Sequence, residues 1–112
     1  MSKYSPQTVE AQVDLAGRSV FAEKTAAIPA GAYTAVVKGA PGRVVNLLVT
    51  TVGTGGSLTI YDNATGAASG TILAQIAGTT AADTQIPIQM PASQGITVVN
   101  TALSFAATLG YS

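Results

Sequence analysis

The chain has 112 residues, and its five basic and five acidic residues give a formal net charge of zero. Such a balance excludes a strong polyelectrolyte partner such as duplex nucleic acid, and the length is that of one domain. The chain also contains no His and no Cys, which excludes a disulfide framework, thiolate chemistry and the commonest general base.

The first residues predict an arm followed by one strand. Residues 1–8 are polar and include Pro6, with no apolar run that would indicate a cleavable secretory signal. Residues 8–14 then alternate apolar and polar side chains, which predicts a strand with one solvated face. Such a strand suits addition to a sheet edge, and that edge could belong to its own sheet, to a sister subunit or to a partner protein. In the first case it is simply the first strand of its own sandwich. In the other two cases we expect an interface through Tyr4, Val9, Glu10, Ala11, Gln12, Val13 and Asp14.

The region between this strand and residue 32 is less regular. Residues 18–22 predict a second short strand, whereas 23–28 fit either a helical turn or a loop. We therefore divide the chain into an arm with its first strand, residues 1–22, and a body, residues 23–112. The two parts belong to one domain.

The body has the pattern of an all-β protein. From Ala32 onward, alternating or apolar runs are separated by turn residues rich in Gly and Pro, which is typical of an antiparallel β-sandwich or barrel, of jelly-roll or immunoglobulin-like type. The seven predicted strands are 32–38, 43–52, 57–61, 71–76, 84–90, 96–100 and 103–111.

Four of these strands carry more specific expectations. The run 43–52 is apolar on both faces, which predicts a central strand covered on both sides. Pro87 within 84–90 predicts an edge strand or a bulge, because proline cannot donate to a ladder. In 71–76 we expect Ile72, Ala74 and Ile76 on one face. In the last strand we expect one face to carry Leu103, Phe105, Ala107, Leu109 and Tyr111.

No residue pattern predicts catalysis, a cofactor or a metal. Asp62 and Asp83 are the only acids in the β-rich part, and both lie among turn residues; Asp62 followed by Asn63 is typical of an Asx-turn. The triplet Asn63-Ala64-Thr65 matches a glycosylation sequon, a short pattern that occurs by chance. We expect a protein that is not an enzyme and has no membrane partner.

The scarcity of charge has two interpretations. A neutral polar surface rich in Thr, Ser and Gln is one, and a surface largely covered by other subunits is the other. The second interpretation predicts a homo-oligomer, which we expect to be a trimer.

Two stretches resemble small structural proteins of tailed bacteriophages. They are the segment from Arg43 through Gly56-Ser57-Leu58-Thr59-Ile60-Tyr61-Asp62-Asn63 to Thr71, and the ending from Pro91 through Gly95-Ile96-Thr97-Val98 to Gly110-Tyr111-Ser112. Together they are similar to the capsid decoration, or cement, class over residues 41–112, about two-thirds of the chain.

The resemblance implies a non-enzymatic virion protein made in the host bacterial cytoplasm. Such a protein binds the outer surface of the phage head between capsomers, with the major capsid protein and its own copies as partners. The alternative is a head-fibre or tail-tip module that binds a host glycan.

Overall fold

Eight antiparallel strands and their connections make up the part of the chain that the computed structural model describes, residues 22–112. The strands are β1 (Lys24–Ile28), β2 (Tyr33–Lys38), β3 (Gly42–Thr51), β4 (Ser57–Asp62), β5 (Thr71–Ala77), β6 (Gln85–Ala92), β7 (Ile96–Asn100) and β8 (Ala106–Tyr111). No helix lies between Ala22 and Ser112.

The strands form two four-stranded sheets with orders β1-β8-β3-β6 and β2-β7-β4-β5. Every connection crosses from one sheet to the other except the β4–β5 hairpin, which stays within its sheet. This is the strand order of an eight-stranded jelly roll, and the prediction of an all-β sandwich is confirmed.

Because each strand runs opposite to its neighbours, the connections gather at two ends. We call the end formed by residues 29–32, 52–56, 78–84 and 101–105 the upper end. The lower end comprises residues 39–41, 63–70 and 93–95 with Ala22 and Ser112.

The core lies between the sheets and consists mainly of aliphatic side chains. Among residues 22–112, Phe105 is the one aromatic side chain that is fully buried in it. Inward side chains recur at every second strand position, as a sheet with one solvated face requires. The fully buried members include Ile28, Val44, Leu47, Val49, Leu58, Ile60, Ile96, Val98 and Leu109.

The segment 24–28, for which the sequence predicts a helical turn or a loop, is the edge strand β1. It pairs with the last strand over its whole length, from Lys24 opposite Tyr111 to Ile28 opposite Ala107. The partner strand lies about eighty residues further along the chain, so no local pattern could identify this pairing. The body thus contains eight strands, one more than predicted from Ala32 onward.

β3 corresponds to the predicted strand 43–52, for which we expect burial of both faces. The strand is central in its sheet, but the register shifts between Val44 and Asn46. Val44 belongs to the core cluster, whereas Val45, at the bulge, is buried outside that cluster. Asn46 is exposed and Leu48 only half-buried. One face therefore packs on the core, and the prediction of two covered faces is wrong.

In β5, a second bulge changes which side chains share a face, and the prediction for this strand is wrong in part. The register shifts where Ile60 pairs with Ala74 and Tyr61 pairs with Ile72, so Leu73 is the extra residue. Leu73 joins the core, whereas Ile72 is 49% exposed on the opposite face. Ile72 does not share a face with Ala74 and Ile76, because the bulge reverses the alternation.

The last strand keeps most of its predicted face. Phe105, Ala107 and Leu109 are buried, and Tyr111 packs against the core. Leu103, in contrast, lies in the β7–β8 connection and is 76% exposed. The alternating sequence pattern starts at residue 103, but the strand itself begins only at residue 106.

The prediction that Pro87 lies in an edge strand or at a bulge is confirmed in both respects. It lies in β6, the outer strand of its sheet, next to the register shift opposite β3. The predicted strands at 8–14 and 18–22 lie outside the described residues, apart from Ala22. The boundary between arm and body thus stays a prediction.

Candidate functional site

At the lower end, a cluster forms around Asp62, the last residue of β4. Its carboxylate accepts hydrogen bonds from the backbone N–H groups of Ser93 at 3.1 Å, Gln94 at 2.8 Å and Gly95 at 3.3 Å. The Ser93 hydroxyl donates a fourth, at 2.8 Å. Asp62 therefore holds the β6–β7 turn against the end of β4.

These hydrogen bonds set the acidity of the carboxyl group. Desolvation by burial raises the pKa of Asp62, but the hydrogen bonds from Gln94, Ser93 and Gly95 outweigh it, so its pKa lies below the ordinary 3.8. The carboxylate is an acceptor that stabilises a turn. A general acid would need the opposite shift, toward a raised pKa.

The Asx-turn predicted at this place is made by Asn63. Its Oδ1 accepts from the Thr65 backbone N–H at 2.6 Å and from the Thr65 hydroxyl at 2.7 Å. Its Nδ2 donates to the Ser69 carbonyl at 3.2 Å. The sequon asparagine is thus bonded across its own loop, and both parts of its amide hold the β4–β5 connection in shape.

At the upper end, the buried Asn100 joins separate connections. Its Nδ2 donates to the Pro29 carbonyl at 3.1 Å and to the Phe105 carbonyl at 2.9 Å, while its Oδ1 accepts from the Ala102 N–H at 3.0 Å. Asn100 is 1% exposed. One side chain thereby satisfies three backbone groups and fixes the β1–β2 and β7–β8 connections together.

Backbone hydrogen bonds join the other two connections of this end. The Gly53 N–H donates to the Gly78 carbonyl at 2.8 Å, and the Gly78 N–H donates to the Gly56 carbonyl at 3.0 Å. A Cβ at Gly78 would lie 2.6 Å from the Ala102 Cβ and would collide with the Gly55 carbonyl oxygen. Only glycine permits this approach, so the upper end is a closely packed set of loops.

The surface of the upper end carries two large exposed apolar side chains among small and polar residues, and almost no charge. Leu103 is 76% exposed and Val52 is 48% exposed, and both belong to its connections. Asp83 is its one charged side chain among the described residues. The lower end and the strand positions beside it carry the others: Glu23, Lys24, Lys38, Arg43 and Asp62.

The expected interface residues Tyr4, Val9, Glu10, Ala11, Gln12, Val13 and Asp14 all lie outside the described residues. The sequence does not predict the surface at the upper end, because the residues that form this surface belong to four separate connections. The interruption of the alternation after Asn100, in the run Thr101-Ala102-Leu103-Ser104, is the one local signal for an exposed Leu103.

Other kinds of site are absent from residues 22–112. This part of the chain contains no cluster of three or more potential metal ligands, no detectable cavity and no buried side-chain polar atom without a partner. Nor does the same range contain a helix of the length and hydropathy that a membrane span needs.

Comparisons with protein-family models, with curated proteins and with solved structures find no match to this chain. The upper end of the sandwich is therefore the candidate functional surface on physical grounds alone.

Proposed function

We propose that this protein is a non-enzymatic virion structural protein that decorates the outer surface of a tailed-phage head. It binds the major capsid protein between capsomers and stabilises the shell as a homo-oligomer, which we expect to be a trimer. The observation that carries the proposal is the upper end, a set of interlocked loops that exposes large apolar side chains and almost no charge.

The rigidity of this end favours docking. Ordering a mobile loop on binding costs free energy, and connections that are already joined by hydrogen bonds have less to lose. The bonds of Asn100 and the Gly53–Gly78 contact provide this order before any partner arrives.

The composition of this end favours burial under a partner. Covering a large aliphatic side chain contributes about 1.5–3 kcal/mol when burial is complete. Leu103 and Val52 are exposed enough to supply part of this. Charged groups would oppose the contact, because a charge buried without a partner is strongly unfavourable.

Copy number tests the proposal directly. We would compare the amount of this protein with that of the major capsid protein in purified particles of its phage, by quantitative gel staining. A decoration protein is expected at hundreds of copies per particle. A few copies per particle would instead support the head-fibre or tail-tip module, and absence from the particle would refute both.

A further inference from the structure

The four outer strands of the sandwich differ in how they are protected against pairing with another chain. In β6, Pro87 and Pro91 remove backbone donors. β1 carries Lys24 and β2 carries Lys38, and lysine on an edge strand opposes pairing. β5 has neither of these two devices: its sequence Thr-Ile-Leu-Ala-Gln-Ile-Ala contains no charge, no Pro and no Gly, and its one edge irregularity is the bulge at Leu73.

An edge of this kind pairs readily with an added strand. The backbone N–H and C=O groups along the outer side of β5 face away from β4, the one strand with which β5 pairs among the described strands. Ile72, 49% exposed on this same strand, adds apolar surface for an incoming chain to cover. An edge strand without charge or proline favours association unless something occupies it.

The chain itself contains a segment outside the eight strands whose sequence pattern predicts a fitting strand. Residues 8–14 equal β5 in length and alternate Val9, Ala11 and Val13 with polar side chains. Their apolar set would extend the inner face of the sheet. Their polar set includes Glu10 and Asp14, so the new edge would carry charges that prevent a further strand from adding.

The position of Ala22 favours a neighbouring subunit as the source of this strand. Ala22 lies over β8 of the other sheet, where its Cβ is 3.0 Å from the Cβ position of Gly110. To reach the position beyond β5 in the same subunit, the chain would have to cross three strand spacings, about 14 Å, and one sheet separation, about 10 Å. The route would also have to pass around β6.

The eight peptide steps from Asp14 to Ala22 reach about 26–29 Å when fully extended. A link within one subunit would use nearly all of this length, whereas a link to an adjacent subunit need not cross the sandwich. We infer that the outer edge of β5 accepts residues 8–14 of a second copy of this chain as an added antiparallel strand.

This exchange has a consequence for symmetry. Donor and acceptor are different surfaces, so the contact is heterologous and closes into a ring when the rotation permits. A ring of three would be the trimer that we propose above. The exchange itself does not require capsid binding, and its test uses the free protein, so the two proposals can fail separately.

Cysteine cross-linking tests the exchange, because the natural chain contains no Cys. The donor variant is Q12C and the acceptor variant is Q75C, at an exposed position of β5. Each is made in the full chain, with a size tag on one of them, and the two are mixed before oxidation. E10C and D14C replace Q12C in parallel mixtures to allow for the register of the added strand.

A disulfide-linked pair of tagged and untagged chains on a non-reducing gel is the expected result. The matched control replaces Q75C by Q85C, at an exposed position of the proline-protected β6, and should give at least tenfold less of this product. The double variant Q12C/Q75C is made as well. A disulfide that forms only within single chains of this double variant, with no linked pair of chains, would overturn the inference in favour of the subunit's own edge. No disulfide in any donor–acceptor combination would also overturn it.

Discussion

Individual polar side chains hold the connections of this sandwich in place. Asp62 accepts from three backbone N–H groups and one hydroxyl, and Asn100 bonds three backbone groups at the opposite end. Asp83, the other acid of the β-rich part, has its backbone N–H bonded to Val49 at 2.7 Å. The two aspartates, which resemble each other in sequence context, thus have different structural roles.

We expect D62N to lower the free energy of unfolding by about 1–2 kcal/mol, because the amide has one acceptor oxygen where the carboxylate uses two. Urea denaturation measures this change. D83N is the matched control, and its effect should stay within about 0.5 kcal/mol because asparagine tolerates the positive φ of 66° found there. Equal losses in both variants would contradict the role given to Asp62.

The lowered pKa of Asp62 also predicts a dependence on pH. A carboxyl whose folded pKa lies below its unfolded value contributes stability that is fully present above the unfolded pKa and is lost as pH falls through the folded pKa. The melting temperature of the natural protein should therefore exceed that of D62N at pH 6, and the gap should narrow as the pH falls below 3.8. A gap that stays constant down to pH 2 would show that the charge is not involved.

Strands acquire their faces from register as well as from alternation. In β5 the bulge turns Leu73 inward and leaves Ile72 outward. In β3 the corresponding irregularity lies between Val44, which belongs to the core, and Asn46, which is exposed. A bulge of this kind changes which side chains stabilise the core.

A pair of alanine substitutions distinguishes the bulged strand from a regular one. L73A should destabilise the protein by about 2–5 kcal/mol, since it removes a core side chain. I72A should cost about 1 kcal/mol or less, because half of that side chain is in solvent. Chemical denaturation of both variants measures the difference, and the reverse order would indicate that β5 alternates without a bulge.

Close packing of the connections predicts a second contrast, between two glycines of the upper end. G78A should destabilise the fold by about 2 kcal/mol or more, because the new methyl group meets Ala102 and the Gly55 carbonyl. G55A has open space around its Cβ position and should change stability by less than about 1 kcal/mol. Thermal unfolding compares the two, and a tolerated G78A would mean that the connections are not tightly joined.

The molecule as a whole is polarised in charge: among residues 22–112, every charged side chain except Asp83 lies at or beside the lower end. Large exposed apolar side chains occur toward both ends, with Val36, Ile72 and Met90 nearer the lower end. Leu103 and Val52 belong to connections that are 51 residues apart in the chain and meet at one end of the sandwich. This separation suits a protein that presents one neutral end to a partner and a solvated end to water.

The polarity predicts the behaviour of two lysine variants. Under the proposed function, L103K should reduce binding to phage heads that lack this protein by at least tenfold, because a charge would be buried in the contact. A68K places the same charge on an exposed loop of the lower end and should bind as the natural protein does. Cosedimentation with the heads measures both, after circular dichroism has shown that each variant is folded. Loss of binding in A68K alone would assign the contact to the lower end.

The sequence by itself determined the fold class and most strand positions of this protein. Alternation and turn residues are local properties, so the strands from Tyr33 onward and the edge position of Pro87 could be predicted from them. The neutral composition is likewise a property of the sequence alone, and it is what first favours a surface covered by other subunits.

Only the tertiary structure decided the remaining features, because each depends on contacts between distant residues. Lys24–Ile28 is a strand because β8 pairs with it, and Ile72 faces solvent because the ladder with β4 contains a bulge. The nearly uncharged upper end exists because the jelly-roll topology gathers four separate connections there. A local sequence pattern carries no information about contacts between distant segments, since the order of strands in the sheets determines these contacts.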